Sequence, residues 1–322
     1  MATLLVYGWY GRQNVGDELF KPAFQKLFFP HGVELKFVDY IDGDALKGTS
    51  GVVFGGGSML VDDPNVTPGA AELLLKGKPS AYYVGIGTET TVGPLHQKLL
   101  ASSPVVAYRD QDVPDLAYVL DAFEDDKRAS GPAPEKNGLL VVPNVEVVPT
   151  WADAHWVHVA WEHYKNELAQ VLDEVVDAGV PLNFMAMCAN ERKNDERVAR
   201  EIVNRMTNRA SYHVYVPGDG ATAARLMRAH KAVLTQRYHG IVLAEMSGVS
   251  YVSVDHHDKL RLAQPHRGLH CSYHGVQKHV LASLIDQALN TTLEPSVPPL
   301  LPLVKVIDRI VWHIKQQEAS GG

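Results

Sequence analysis

Short apolar runs alternate with glycine-rich turns and helical patterns along the whole chain, the signature of parallel α/β architecture. Strands are predicted at Thr3–Tyr7, Glu34–Val38, Gly51–Phe54, Ala81–Ile86 and Val105–Tyr108. A helix is expected after Gly16-Asp17-Glu18, with Asp17 as its N-cap, Phe20, Phe24, Leu27 and Phe28 on one face, and Pro22 limiting how early it becomes regular. Another is expected from Asp110 or Asp112, carrying Leu116, Val119 and Leu120. The segment Asp125–Gly138 combines charge, prolines and glycines without apolar periodicity and reads as a linker. Strands then resume near Leu139–Val142, Leu182–Met187, His213–Val216, Ala232–Thr235 and Tyr251–Val254, with a long helix from Asp153 to Asp177. A proline-rich stretch, Pro295–Pro302, releases a last helix, Val304–Gln317, whose stripe of Val304, Ile307, Ile310, Val311 and Ile314 is expected to pack on a domain junction.

The pattern therefore predicts two Rossmann-like parallel-sheet domains facing a cleft. They span 1–128 and 139–294, joined by a linker at 129–138 and followed by a C-terminal segment at 295–322. Ligands in such sheets bind beyond the carboxyl ends of the strands. Function should sit in four loops: Gly8–Asp17, Gly55–Asp63, Arg109–Asp112 and Arg237–Gly240.

Composition narrows the chemistry. The chain has 322 residues, 46% hydrophobic and 21% charged, which excludes a disordered or collagen-like protein. Thirty Lys plus Arg against 37 Asp plus Glu give a net charge of −7, so no nucleic-acid partner is expected and an anionic ligand would need a local basic pocket. Cys188 and Cys271 make neither a disulfide framework nor a metal-type pair, which fits a reducing compartment. Met1-Ala2-Thr3 runs straight into Leu4-Leu5-Val6-Tyr7 without the basic and apolar regions of a signal peptide, so a cytoplasmic chain is expected. The apolar stretch Ala232–Val254 is interrupted by Gln236, Arg237, His239 and Glu245; it reads as strand, turn, helix and strand, and no transmembrane segment is expected.

Gly8-Trp9-Tyr10-Gly11-Arg12-Gln13-Asn14-Val15-Gly16-Asp17-Glu18 leaves the first strand and opens the first helix, a place where backbone N–H groups cradle an anion or a sugar hydroxyl. Its glycine spacing matches neither the dinucleotide fingerprint nor the phosphate loop. Asn14 and Asp17, beside Gly16, are candidate hydrogen-bond partners for a polyhydroxylated acceptor, against the alternative of a tight turn with Asp17 as a mere cap. Gly55-Gly56-Gly57-Ser58 after the third strand lets backbone come close to a ligand or simply packs strand on helix. Arg109 ends the fifth strand, where it would either point into the cleft or pair with a carboxylate.

The richest passage is Thr235-Gln236-Arg237-Tyr238-His239-Gly240. A buried strand ends in a cation and an imidazole just before a helix whose positive dipole end faces the same spot. An anion is the natural occupant: Arg237 offers a planar fork, and His239 can pass a proton near neutrality. Lys259, after the next strand, could add a second positive charge. The alternative is a structural ion pair with a core histidine. His266, His270, His274 and His279 lack helical alignment and a matched carboxylate, so no metal site is expected. Trp151, Trp156 and Trp161 are expected to serve packing.

Four passages in the same order, Gly8–Glu18, Val53–Leu60, Tyr108-Arg109-Asp110 and Thr235–Lys259 with its Arg237-Tyr238-His239-Gly240 core, resemble the polysaccharide pyruvyl transferase family. The resemblance implies a GT-B-like fold with the acceptor on the N-terminal domain and the donor on the C-terminal one. It implies transfer of pyruvate from phosphoenolpyruvate, as co-substrate, onto two hydroxyls of a sugar, glycan or glycolipid acceptor to form a ketal, with no further cofactor. Arg237 and Arg109, with Lys259, Tyr238 and Gly240, would then bind the donor. His239 would act as acid or base, with Asp17 as its catalytic counterpart near the acceptor, where Asn14, Gly16, Gly56, Gly57 and Ser58 would bind. The family's serine shortly after the strand-end arginine is replaced here by Val113-Pro114. The alternatives are a GT-B-type glycosyltransferase using a nucleotide sugar, and a non-catalytic anion- or carbohydrate-binding module.

Overall fold

Both faces of the first predicted strand are apolar, and both are buried. In β1 (Thr3–Tyr7), Leu4 and Val6 join a core with Phe20, Phe24 and Phe28, whereas Leu5 and Tyr7 join a second core with Phe54 and Tyr83 on the opposite face. Strands covered on two sides read as continuous apolar runs, as parallel sheets require. The computed structural model describes residues 2–320 apart from 58–59, 61–64, 88–91, 121–135, 146–152, 192, 209–211, 256–258 and 263–266. Among them, β1, β2 (Glu34–Val38), β3 (Gly51–Gly55), β4 (Ser80–Ile86) and β5 (Val106–Tyr108) form a five-stranded parallel sheet in the order β2-β1-β3-β4-β5. A six-stranded parallel sheet follows in the order β11-β10-β9-β6-β7-β8. Its strands are β6 (Leu139–Val142), β7 (Leu182–Met185), β8 (Tyr212–Tyr215), β9 (Ala232–Thr235), β10 (Ser250–Asp255) and β11 (Leu269–Ser272).

The chain divides into two units, one made of Met1–Arg12, Gly16–Asp121 and Pro298–Gly322, the other of Gln13–Val15 and Ala122–Val297. The linker expected at 129–138 lies mostly outside the described residues. The C-terminal helix runs over Leu301–Ser320, and Leu303, Val306, Ile307, Ile310, Val311 and Ile314 complete the core of the first unit, while Val304 stays exposed. His313 and Gln317 anchor it through Tyr82 Oη (2.9 Å) and Ser80 Oγ (2.8 Å). It is thus an element of the first unit. No helix among the described residues is long and apolar enough to cross a membrane.

Local chemistry corrects three further expectations. Asp17 lies inside the short turn Val15–Glu18; the helix Phe20–Phe28 begins after Leu19 with no side-chain cap. Pro22 is tolerated because first-turn residues need no acceptor four residues back. The helix expected near Asp110 is a 3₁₀ turn, Leu116–Val119, capped by Asp115, which accepts from Ala117 N at 2.8 Å. Trp161 is buried in the second unit's core, but Trp156 is 68% exposed, and Trp151 lies outside the described residues. The predicted Asp153 cap of the long helix Ala154–Asp177 is observed, accepting from His155 N at 2.8 Å.

One buried imidazole gives the second unit a pH dependence. His230 is 4% exposed; its Nδ1 donates to Leu226 O at 2.6 Å and its Nε2 accepts from Asn183 Nδ2 at 2.8 Å. Burial holds its pKa below the ordinary 6.5. The unfolded chain therefore binds the extra proton first, and stability should fall as pH drops below about 6.5. Urea titrations of His230→Gln and the parent chain at pH 5.5 and 7.5 should show this loss shrinking in the variant.

Candidate functional site

The strand orders locate two crevices. In the second sheet β6, β7 and β8 run one way from the middle and β9, β10 and β11 the other, so the order reverses between β6 and β9. In the first sheet it reverses between β1 and β3. Crossovers leaving in opposite directions open a crevice at the carboxyl ends of the strands flanking each reversal. Gly8–Glu18 and Gly55–Gly57 leave β1 and β3, and Arg237–Gly240 leaves β9, so three of the four loops singled out in the sequence stand at these two places, while Arg109–Asp112 leaves the edge strand β5.

At the second reversal, Gln236 N donates to Val142 O at 2.9 Å, and Gln236 Oε1 accepts from Asn144 N at 3.3 Å, joining the ends of β9 and β6. Arg237 occupies the N-cap position of the helix Tyr238–Ser247 in extended conformation (φ −109°, ψ 132°). Thr235 Oγ1 accepts from Arg237 N at 3.0 Å and donates to Arg237 O at 3.2 Å, fixing the turn from strand to helix. His239 lies partly exposed in the first helical turn, edge-on to Tyr238 with ring centroids 5.4 Å apart. Lys259 begins the short turn Lys259–Leu262 after β10, the neighbour of β9.

Arg237 does not stand alone. Its Nε donates to Asp195 Oδ2 at 3.0 Å and its Nη2 to Asp195 Oδ1, a bidentate pair in which the arginine side chain is 15% exposed and the carboxylate fully buried. Asp195 opens the helix Asp195–Val203 and also accepts from Cys188 N at 2.9 Å. Burial pushes its carboxyl upward, and the Arg237 charge pulls it back. Burial likewise raises the Cys188 thiol, which keeps it protonated and unreactive. Three residues of the Gly8–Glu18 loop belong with this unit: Asn14 bridges Cys188, Val15 N donates to Met187 O at 2.8 Å, and Ala189 N donates to Gln13 O at 3.0 Å. Asn14, expected near an acceptor, thus lies in a hydrogen-bonded chain through Cys188 and Asp195 to Arg237. Sequence reading missed Asp195; the only signal was an acidic residue at the start of an amphipathic stretch.

Gly240 is required by packing. A Cβ there would lie 2.1 Å from Thr235 Oγ1, the atom that sets the Arg237 turn. Its backbone N donates to Arg237 O at 2.9 Å, so the residue shapes the turn from β9 into the helix. Gly240→Ala should cost about 1–3 kcal/mol by overpacking, and Thr235→Ala should recover part of that loss. Chemical denaturation of the two single variants and the double checks both.

In the first unit, Gly55 and Gly56 pack closely against the helix Phe20–Phe28. A Cβ on Gly55 or Gly56 would lie 2.2 Å from the ring of Phe24 or Phe20, and Gly56 and Gly57 adopt φ +77° and +69°. Gly16 is buried in the Val15–Glu18 turn; Asp17 comes near Gly57, to whose Cβ position its Oδ1 would be 3.4 Å. Ser58 lies outside the described residues. Glu18, not singled out before, accepts from Gly11 N at 2.6 Å and pairs with Lys21 at 2.7 Å, holding the loop. Of the two alternatives for Arg109, the structure shows the carboxylate pairing: its side chain is 3% exposed, and it contacts Asp110 and Asp115 at 3.5 Å each. A buried arginine between two carboxylates neutralises them and anchors the turn that leaves β5. Of the histidines at 266–279, His266 is outside the described residues, His270 contacts Asp255 at 3.6 Å and His274 lies against Tyr273.

No protein-family model matches the chain, and no curated protein matches it by sequence. The fold is similar to that of Methanocaldococcus jannaschii UDP-GlcNAc 2-epimerase in complex with UDP-GlcNAc and UDP. That likeness has a TM-score of 0.57 at 10% identity, over 98% of this chain and 100% of that one. The S. aureus MnaA-UDP co-structure gives a TM-score of 0.58 at 11% identity, over 99% and 97% of the two chains. UDP-GlcNAc 2-epimerase from Neisseria meningitidis bound to UDP-GlcNAc gives 0.51 at 12% identity, over 98% and 100%. At such identity the likeness is one of fold, and it extends over both units: the chain has two parallel-sheet α/β units of the GT-B class.

Proposed function

We propose that this protein is a carbohydrate-modifying enzyme that seats a phosphorylated donor at the carboxyl ends of β6 and β9, with a nucleoside-diphosphate sugar as the donor class. One observation carries the reading: the helix Tyr238–Ser247 opens at the strand-order reversal with Arg237 at its N-cap and His239 in its first turn. The N–H groups of a helix start and its dipole favour an anion there. Because Asp195 balances Arg237, the arginine supplies directed donors more than net charge, and the helix start supplies the electrostatic attraction. His239 is the group that moves a proton between acceptor hydroxyl and solvent, a role worth about 10²–10⁴ in rate. The similar structures that hold UDP and UDP-GlcNAc support a nucleotide as the donor's handle.

A second donor, phosphoenolpyruvate, is favoured by the passage Arg237-Tyr238-His239-Gly240 and would make the reaction pyruvyl transfer to a sugar hydroxyl pair. Both donors present a phosphoryl oxygen to the same helix start. Thermal melts with UDP, UDP-GlcNAc and phosphoenolpyruvate separate them, since a ligand that binds the native state stabilises it by RT ln(1 + [L]/Kd) and so raises the melting temperature. A larger rise with the uridine compounds is the expected result. A rise with phosphoenolpyruvate alone transfers the assignment to pyruvyl transfer, and no rise with any of the three overturns both.

A further inference from the structure

Gln236 is 1% exposed, yet its Nε2 has no hydrogen-bond partner among the described residues. A buried amide left without an acceptor is costly, and such a group in a native structure calls for an explanation. Its orientation is not arbitrary. Gln236 Oε1 accepts from the backbone N of Asn144, and turning the amide over would set an NH₂ group against that N–H. The backbone of the segment leaving β6 therefore fixes the oxygen, and the nitrogen is obliged to face away from that N–H.

We propose that Gln236 Nε2 is a specificity-determining donor that takes an anionic phosphoryl oxygen of the donor substrate. The inference rests on the reading of the β6/β9 crevice as the donor site. Three features favour an anionic oxygen over a neutral one. The helix Tyr238–Ser247 starts one residue past Arg237, with its N-terminal dipole in the crevice. The Arg237 charge is offset by Asp195, so an anion there must gather neutral donors as well. The amide nitrogen of Gln236 is a neutral donor at the crevice, on the residue adjacent to the arginine.

Gln236→Glu tests this. The substitution keeps the shape and the acceptor for Asn144 but puts an oxygen where the donor nitrogen was. Calorimetric titration with UDP, phosphoenolpyruvate and inorganic pyrophosphate would be run on the parent and the variant at pH 8 and pH 5.5, each affinity expressed as a ratio of variant to parent. At each pH the parent chain is the reference for the variant, so effects common to both chains are removed by the ratio. The expected result is a loss of about 10- to 100-fold at pH 8, the size of a hydrogen bond to a charged acceptor. That loss should shrink at pH 5.5 as the buried carboxyl introduced by the substitution regains a proton it can donate, a recovery that mere structural disturbance would not give. Gln236→Met, which removes both donors, should show a similar loss at both pH values, and serves alone if the glutamate variant does not fold. A change under about twofold in either folded variant overturns the proposal, as does a loss in the glutamate variant that ignores pH. If the parent chain binds none of the three anions, the donor-site reading itself fails and the proposal falls with it; binding by the parent with no effect of either variant overturns the proposal alone.

Discussion

Asp195→Ala should destabilise the second unit by about 3–5 kcal/mol, the cost of leaving a buried charge without its counter-ion. The carboxylate is fully buried, grips the Arg237 guanidinium through two hydrogen bonds and also holds Cys188 N, so its removal strands three donors at once. A cooperative unit of this size would lose roughly 2–4 °C of melting temperature per kcal/mol. Urea and thermal denaturation measure the effect. Its sign can be separated from simple loss of packing by Arg237→Met: with both charges gone the double variant should regain much of the stability lost by Asp195→Ala, giving a clear coupling energy. A loss below about 1 kcal/mol with no coupling would mean that the pair is hydrated in solution and that Arg237 is not positioned by it.

His239→Ala should lower turnover by about 10²–10⁴ while leaving the melting temperature within a degree or two. The imidazole is partly exposed and lies edge-on to Tyr238 in the first helical turn. The measurement is product formation with the donor class that the melts identify and a mixed panel of sugar acceptors. Affinity for the donor should change far less than the rate, because a proton-transfer group acts in the transition state. Near-normal product formation by a folded variant would remove His239 from the chemistry and leave the crevice as an anion-binding surface.

Much of the architecture was legible in the chain. β1, β2, β6 and β9 occur at the predicted residues because their apolar runs are bounded by glycine, charge or turn signals. β11 was not anticipated: Leu269–Ser272 is a short edge strand containing His270 and pairs only with β10 among the described residues, so it carries little apolar pattern. Asp17 and the Asp110 region were misplaced for a different reason. An aspartate before an apolar run is a cap in one context and an interior residue in another, and only the hydrogen bonds of the folded backbone choose between them.

At the candidate site, sequence alone determined where chemistry concentrates: a cation, an imidazole and a glycine between a buried strand and a helix, and a glycine-rich turn after the first strand. The tertiary structure decided what each residue is for. Arg109 and Arg237 carry the same side chain at equivalent strand ends, but Arg109 is closed in by Asp110 and Asp115, whereas Arg237 is held by a carboxylate 42 residues earlier in the chain and retains some exposure. Gly55, Gly56 and Gly240 look like room for a ligand in the sequence and are room for Phe24, Phe20 and Thr235 in the fold. Local pattern fixes which backbone state a segment prefers, since that depends on neighbours in sequence. Charge pairing, close approach and an amide without an acceptor depend on residues brought together from distant parts of the chain, and no spacing in the sequence encodes them.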